Sequence, residues 1–291
     1  MGILQILLNS MQFIAIISLA TLGIVLIFQT SITTNFAQSM IATVGGFISV
    51  TLLTKYGVPA LASYFIAVAA MFLFGVFIDA VIIRFARHVT PVGKQMLTMG
   101  IVLLLTGLIP LVFGNVVMQA PKFSNTIITN ASNTLSFSMH NLIGFILAAV
   151  VIAAIFICLK FTKWGLSVRA TASNETVAKM MGINTRIITG VSWGIAGAVG
   201  TLAALIYAPL TQITPTMMVS VQVQGFMACV LGGFTSFIGP IVGAIIIPVL
   251  RNIVGYLGAD TWKDVVVYLV IFLVVLIKPM GLFGKKIVKK V

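Results

Sequence analysis

The sequence predicts an all-α polytopic integral membrane protein of about eight to nine transmembrane helices, some broken or re-entrant at glycine-rich segments. Apolar residues make up 60% of the 291 positions and charged residues only 7%, whereas a soluble domain averages about 25% charged residues. The mean hydropathy is +1.20, and the 26 glycines suit helices that pack closely in a bilayer. These observations predict a single transmembrane domain over residues 1–291.

Nine apolar segments are candidate crossings, since a helix needs about 20 apolar residues to span the hydrocarbon core. In chain order they cover about 11–30, 37–54, 61–83, 95–113, 142–159, 187–208, 221–237, 239–257 and 265–279. Gly45 and Gly46 interrupt the second segment, and the seventh and eighth are short and rich in glycine. Such segments are candidates for broken helices, which are tolerated where they line a cavity.

The basic residues predict the orientation, because cytoplasmic loops of membrane proteins carry an excess of Lys and Arg. We place the polar segment 160–186 and the basic tail 284–291 inside. Arg84, Arg87 and Lys94, between the third and fourth segments, and Lys278, beside the tail, then also fall inside. Only four of the seventeen Lys and Arg remain outside, namely Lys55, Lys122, Arg251 and Lys263. Nine crossings put the N-terminus outside and the C-terminus in the cytoplasm. The net charge of +13 is therefore a topology signal, and no nucleic-acid partner is expected.

The polar segment 160–186 predicts one short helix at its centre. Ser173 is a suitable N-cap, since its hydroxyl can accept a hydrogen bond from a free N–H group. Glu175 and Lys179 complement the partial charges of the two helix ends, and Gly182 can end the helix in the left-handed conformation.

Val177, Met180 and Met181 give this helix one apolar face. A short amphipathic helix between two spans is suited to being gripped by a cytoplasmic partner. The alternative is a connecting loop that lies on the membrane surface.

Amide side chains mark two further places. Asn35, Phe36 and Gln38 join the first two apolar segments, and Gln222 and Gln224 precede Gly225. Amides near the membrane either line a polar route for an uncharged or zwitterionic solute or cap the neighbouring helices.

The glycines Gly232 and Gly233, followed by Gly239 and Pro240, permit either a broken helix at a translocation path or a tight turn. Asp79 is the one acid within a predicted span. An ion pair with Arg84 and Arg87 is favoured there over a role as a proton carrier.

Motifs for enzyme chemistry are missing from the sequence. Gly93-Lys94 is followed by Gln95 rather than Ser or Thr, so there is no phosphate-binding loop of the GxxxxGK[ST] type. His88 and His140 have no partner at metal-ligand spacing. We therefore expect no metal, no cofactor and no ATP hydrolysis in the chain itself.

Several motifs together resemble one family. The pattern begins at Gly165 and continues through Arg169-Ala170, Asn174 and Ala178 to Gly182-Ile183-Asn184-Thr185. It resembles the long cytoplasmic loop of LivH-type permeases, the membrane subunits of branched-chain amino acid ABC importers. Residues 35–37, 225–233, 239–243, 263–266 and 278–284 are similar to other signatures of that family. Gln38-Ser39 and His88-Val89-Thr90-Pro91 depart from its usual pattern.

The resemblance implies a permease that works with separate partners in a lipid bilayer. A solute-binding protein would deliver the solute outside, and a second permease, either a LivM-like relative or another copy, would complete the path. Two ATP-binding subunits would dock on the coupling loop 160–186 and use the ATP. The implied coupling residues are Arg169, Asn174, Glu175, Ala178, Lys179 and Gly182. The implied path residues are Asn35, Phe36, Gln38, Gln222, Gln224, Gly225, Gly232 and Gly233.

The implied substrates are branched-chain, hydrophobic amino acids, with urea or short amides as alternatives within the same class. The implied location is the cell (inner) membrane of a bacterium or archaeon. From the residues alone, two other functions stay open. One is an ion-coupled secondary carrier or channel for a small polar solute, and the other is a membrane scaffold that transports nothing.

Overall fold

The computed structural model describes residues 3–86, 89–114, 117–129, 136–258 and 260–284. These residues form eleven α-helices and one short hairpin. The helices are α1 Ile3–Ser31, α2 Gln38–Lys55, α3 Ala60–Ile78, α4 Pro91–Phe113, α5 Met139–Phe161, α6 Lys163–Ser173, α7 Glu175–Met180, α8 Thr185–Tyr207, α9 Val219–Gly232, α10 Ile238–Tyr256 and α11 Lys263–Ile277. The π-helical turn Asp79–Ile83 extends α3, and strands β1 Ile127–Thr129 and β2 Ser136–Ser138 pair antiparallel.

The polytopic all-α prediction is confirmed, because each predicted apolar segment contains one helix. Among the described residues, six helices are long and apolar enough to cross a membrane: α1, α3 with its π turn, α4, α5, α8 and α10. The helix α9 is apolar but shorter, with 14 residues. The helix α2 runs unbroken through Gly45 and Gly46, so the interruption expected there is wrong.

The first helix begins well before the predicted residue 11, and its N-terminal end is bonded to the hairpin. The Gln5 amide donates to the Ser136 carbonyl at 2.8 Å and accepts the Ser136 N–H at 3.1 Å. The sequence did not predict this hairpin, because apolar and polar residues alternate only over short segments of the polar stretch 114–141. The same stretch contacts the loop before α9, where the Ile213 N–H donates to the Met118 carbonyl at 2.9 Å.

The helix α1 is the centre of the bundle. It carries no charged residue and packs against α5, α8, α9 and α10. Its side chains are buried around most of its circumference, among them Leu19, Leu22 and Leu26. A helix that is hydrophobic on all sides is expected to be enclosed by others, and α1 is enclosed here.

Glycines bring α3 and α8 together. A Cβ atom at Gly75 would collide with the Trp193 carbonyl, and one at Gly197 would collide with the Met71 carbonyl. Trp193 itself is 1% exposed. Small residues at such crossings let two helix backbones approach and gain van der Waals contact in a lipid environment.

Replacing Gly197 with Val is expected to destabilise the chain by about 1–3 kcal/mol or more, because the added methyl groups must separate α3 from α8. Thermal unfolding of the purified chain in detergent measures this. Gly107→Val in α4 is the matched control, since a Cβ there meets no atom within 4 Å. Equal unfolding temperatures for the two variants would contradict the close crossing.

Candidate functional site

The polar segment 160–186 folds into two helices rather than the one expected. The helix α6 follows α5 directly, and the Thr162 hydroxyl caps it by accepting the Gly165 N–H at 3.1 Å. Val168 and Thr171 are buried in α6, which packs against α5 and α1. The signal available in the sequence was Thr162, a residue type that favours the N-cap position.

The N-cap of α7 is Asn174, so the prediction of Ser173 is wrong. Ser173 is the last residue of α6, and the extended backbone of Asn174, with φ −160° and ψ 108°, separates the two helices. The Asn174 Oδ1 atom accepts the N–H groups of Thr176 at 3.0 Å and Val177 at 3.1 Å. Both residue types are good caps, and the helix that precedes Ser173 decides between them.

The turn that ends α7 lies at Gly182, as the sequence predicts. Its φ is +82°, a left-handed conformation that favours glycine. The Gly182 N–H donates to the Lys179 carbonyl, and the Ile183 N–H donates to the Ala178 carbonyl, both at 3.0 Å. The turn therefore satisfies carbonyl groups at the end of the helix.

The predicted apolar face of α7 points outward. Val177 is 52% exposed, Met180 is 80% exposed and Met181 is 78% exposed. Ala178 is buried and anchors α7 to the rest of the chain. The six predicted coupling residues therefore comprise this anchor and five residues on the surface, of which Glu175 and Lys179 form an ion pair.

A second polar group lies inside the bundle, where α2 and α9 begin. The Gln38 amide donates to the carbonyl of Ala196 at 2.7 Å, and Ala196 lies midway along α8. The chain reaches this level from the end of α1 through residues 32–37, which are not helical. Asn35 is fully buried there; its Nδ2 donates to Gln38 at 3.3 Å and its Oδ1 accepts the Ala37 N–H at 2.9 Å.

Gln222 joins α9 to this group. Its Oε1 accepts the Ser39 N–H in the first turn of α2. Its Nε2 donates to the Asn35 carbonyl at 3.2 Å and to the Phe36 carbonyl at 2.8 Å. The Phe36 N–H donates to the Thr98 hydroxyl at 3.2 Å. We call Asn35, Phe36, Gln38, Ser39 and Gln222 the amide cluster.

The structure thus brings together four predicted path residues and separates the other four. Asn35, Phe36, Gln38 and Gln222 meet in the amide cluster, where the three amides make hydrogen bonds within the chain. Their role as path residues stays a prediction, since a solute would have to replace these bonds.

The other four predicted path residues pack elsewhere along α9. Gly225 contacts Ile24 on α1, and Gly232 contacts Gly239 at the start of α10. Gly233, with φ +96°, approaches residues 280–284. Gln224 lines a separate cavity beside Arg251 and Lys263.

Asp79 lies in the π turn at the end of α3 and is 3% exposed. Its Oδ2 lies 3.5 Å from the Arg84 guanidinium and accepts the Thr189 hydroxyl at 3.4 Å. The predicted ion pair with Arg84 is confirmed; Arg87 and His88 lie outside the described residues. A small cavity links this pair to α7, since Asp79, Arg84, Glu175 and Lys179 all line it.

Known proteins are similar to this chain over nearly its whole length. A family model described as "Branched-chain amino acid transport system / permease component" matches residues 6–275. The permease LivH of Salmonella typhimurium is 23% identical over 300 residues, covering 99% of this chain and 97% of that protein. The probable LivH of Methanocaldococcus jannaschii is 23% identical over 91% of this chain and 88% of its own length. BraD of Pseudomonas aeruginosa is 24% identical over 99% and 98%, respectively. No solved structure matches the chain significantly.

Replacing Gln222 with Leu is expected to lower the unfolding temperature of the chain, because it leaves the Ser39 N–H and two carbonyls without their partner. Each unpaired buried group costs about 1–3 kcal/mol. Tryptophan fluorescence during heating in detergent measures this. Gln212→Leu is the control, since Gln212 is exposed in the loop before α9. An unchanged unfolding temperature for Gln222→Leu would show that these bonds do not hold the bundle together.

Substitutions at Gly182 are expected to rank Asn, then Ala, then Val in increasing damage. A Cβ there meets no atom within 4 Å, so backbone strain decides the order, with Ala costing about 1 kcal/mol and the β-branched Val more. Amide hydrogen exchange over residues 174–183 reports the loosening of α7. Equal exchange in the three variants would contradict a strained left-handed position.

Proposed function

This chain belongs to the family of branched-chain amino acid transport system permease components, and we propose that it is the membrane-spanning subunit of an ATP-driven ABC importer. Its cargo would be branched-chain, hydrophobic amino acids delivered by a solute-binding protein. The relatives LivH and BraD are named as high-affinity branched-chain amino acid transport permeases. Urea and short amides are the alternative cargo.

The observation that carries the ATP-driven mechanism is the surface of α7. The apolar side chains of Val177, Met180 and Met181 are exposed on α7 and at its C-terminal end. Hydrogen bonds within the chain fix the cap of this helix and the turn that ends it. A rigid apolar patch on a polar loop suits a partner protein better than water. The sequence has no phosphate-binding loop of its own, so that partner is proposed to be an ATP-binding subunit, one on each of two permeases.

Coupling is proposed to run from α7 to α3 and α8. The Glu175 carboxylate accepts the Thr185 hydroxyl at 3.4 Å, which connects α7 with the first turn of α8. The cavity shared with Asp79 and Arg84 brings α7 near the end of α3. ATP binding would favour one permease state because the docked subunits are closed in that state.

The grouping of basic loops at one end of the bundle supports the proposed orientation. The Arg84 guanidinium donates to the Arg186 carbonyl at 3.4 Å, so the loop after α3 meets the loop before α8. This end is proposed to face the cytoplasm in the cell membrane of a bacterium or archaeon, with the N-terminus outside. The second permease is proposed to be either a LivM-like subunit or a second copy.

The experiment that tests the proposal is a mild-detergent purification of the tagged chain from its native membrane, analysed by mass spectrometry. Recovery of ATP-binding subunits and a permease partner is expected. The co-purified complex in proteoliposomes should then import leucine only with ATP and a binding protein. Leucine movement against a gradient by the chain alone would contradict the proposal and favour an ion-coupled carrier.

Replacing Glu175 with Lys is expected to lower ATP-driven leucine uptake on the order of tenfold while ATP hydrolysis continues. The Glu175 side chain is 46% exposed, so its ion pair with Lys179 adds little to stability, and the variant should still insert and fold. Thr176→Lys is the control, since it also places a lysine ammonium on α7 but keeps the Glu175 carboxylate. Wild-type uptake by Glu175→Lys would remove this residue from coupling.

A further inference from the structure

A surface groove of about 380 Å³ lies where the C-terminal end of α5 meets α6 and the loop between α9 and α10. Its polar lining consists of two cations, Lys160 and Arg169, and the hydroxyl of Ser236. The remaining lining residues are apolar: Phe156, Ile157, Leu159, Phe161, Phe237 and Ile238. We infer that this groove binds an anionic phospholipid, with the phosphate at the two cations and an acyl chain on the apolar wall.

The two cations of the groove have no acidic partner. Neither Lys160 nor Arg169 forms an ion pair with any residue that the structure describes. Glu175 is the one acid in the segment 160–186, and it pairs with Lys179 instead. The Arg169 guanidinium donates to the Lys160 carbonyl at 3.5 Å, which holds it beside the end of α5. Two cations without counter-charges at a membrane surface attract an anionic headgroup.

The Ser236 hydroxyl adds a hydrogen-bond donor to the groove. Its oxygen accepts the N–H groups of Ile238 at 3.3 Å and Gly239 at 3.2 Å, and no acceptor in the described residues takes its own hydrogen. The groove also adjoins the N-terminus of α10, where the aligned peptide dipoles favour negative charge. A phosphate diester at neutral pH only accepts hydrogen bonds, and bonds between ionised partners are the strong ones. This set of donors therefore favours a phosphate over a neutral or cationic group.

The groove lies at the level of a phospholipid headgroup. The helix α5 is long and apolar enough to cross a membrane, and Lys160 and Phe161 are its last two residues. The end of a crossing helix lies where the hydrocarbon core meets the headgroups. A lysine at this position can place its charge among the headgroups while its stem lies on apolar surface.

An exposed apolar stripe leads along α5 into the groove. Its members are 53–73% exposed and share one face of the helix: Ile146, Val150, Ile157 and Phe161. Positions 146 to 161 span about 22 Å of helix, which is more than half of the roughly 30 Å hydrocarbon core. The stripe is therefore long enough for an acyl chain of one leaflet, whereas a soluble anion would leave it uncovered.

The groove is distinct from the surface proposed for the ATP-binding subunit. Arg169 is one of the implied coupling residues, but it lines this groove together with the end of α5. Glu175 and Lys179 line the separate cavity that contains Asp79. A lipid fits the groove better than a cytoplasmic subunit does, because the groove continues into the exposed stripe of a membrane-crossing helix.

Native mass spectrometry of the full-length chain, delipidated in detergent, tests the inference. The chain is titrated with phosphatidylglycerol and, separately, with phosphatidylcholine of identical acyl chains. The first phosphatidylglycerol is expected to bind about tenfold more tightly or better, because each Lys or Arg near an anionic headgroup contributes about fivefold. Phosphatidylcholine carries the same phosphate with a compensating cation. Equal affinity for the two lipids would overturn the inference.

Lys160→Gln is expected to weaken phosphatidylglycerol binding about fivefold, and the double variant Lys160→Gln, Arg169→Gln about thirtyfold. Both side chains are exposed, so the variants should fold. Lys163→Gln is the matched control, since it removes the same charge three residues away from a side chain that does not line the groove. An unchanged preference in the double variant, or an equal loss in Lys163→Gln and Lys160→Gln, would reject the site.

Glycerol phosphate, a headgroup without acyl chains, separates a lipid site from a site for soluble phosphate. It is expected to leave phosphatidylglycerol bound when added at about a hundredfold excess, because it makes no contact with the apolar wall. Displacement at that excess would assign the groove to a soluble anion and overturn the lipid assignment.

The inference requires that α5 crosses a membrane and does not depend on ATP-driven import. Failure of leucine uptake in proteoliposomes would thus leave the lipid site intact. Loss of co-purified ATP-binding subunits from the double variant, with wild-type phosphatidylglycerol binding, would assign the groove to those subunits and overturn the inference.

Discussion

The structure depends on satisfying the backbone where two helices begin inside the bundle. A bilayer offers no water to an exposed N–H or C=O group, so each one needs a partner within the protein. The unwound residues 32–37 leave such groups at the level of the middle of α8. Gln222 supplies an acceptor to Ser39 and a donor to two carbonyls. Its side chain therefore ties the starts of α2 and α9 into one unit.

A rigid frame surrounds that unit. The helix α1 fills the centre, and α3 and α8 approach closely through Gly75 and Gly197. Because such a core is closely packed, it has low compressibility and transmits strain. The helix α7 is fixed to the same frame through Ala178 and the contact from Glu175 to Thr185. A movement imposed on α7 is thus expected to reach the helices that hold the amide cluster.

The two neighbouring amides on α9 differ in what surrounds them. Gln222 faces a non-helical turn that needs both a donor and an acceptor, and it meets both needs. Gln224 lies beside a cavity with charged walls, and its buried Oε1 atom has no hydrogen-bond partner in the described residues. A buried amide with satisfied bonds contributes to stability, whereas one without them destabilises the chain unless a ligand or water binds. The first is explained by the fold.

The sequence by itself determined the all-α membrane class, the nine apolar segments and the exposed helix in 160–186, because hydropathy and helix caps are local properties of the chain. It also led to the left-handed turn at Gly182 and to the ion pair of Asp79 with Arg84, since both join residues close in sequence. Tertiary structure decided which amides meet, because Asn35 and Gln222 are distant in the chain and no local pattern aligns α2 with α9. It also decided that Asn174 rather than Ser173 caps α7, since α6 already includes Ser173. Tertiary structure also decided that Gln224 and Gln222 have different surroundings. Residues two positions apart on a helix point in different directions, and only the packed bundle supplies the neighbours of each.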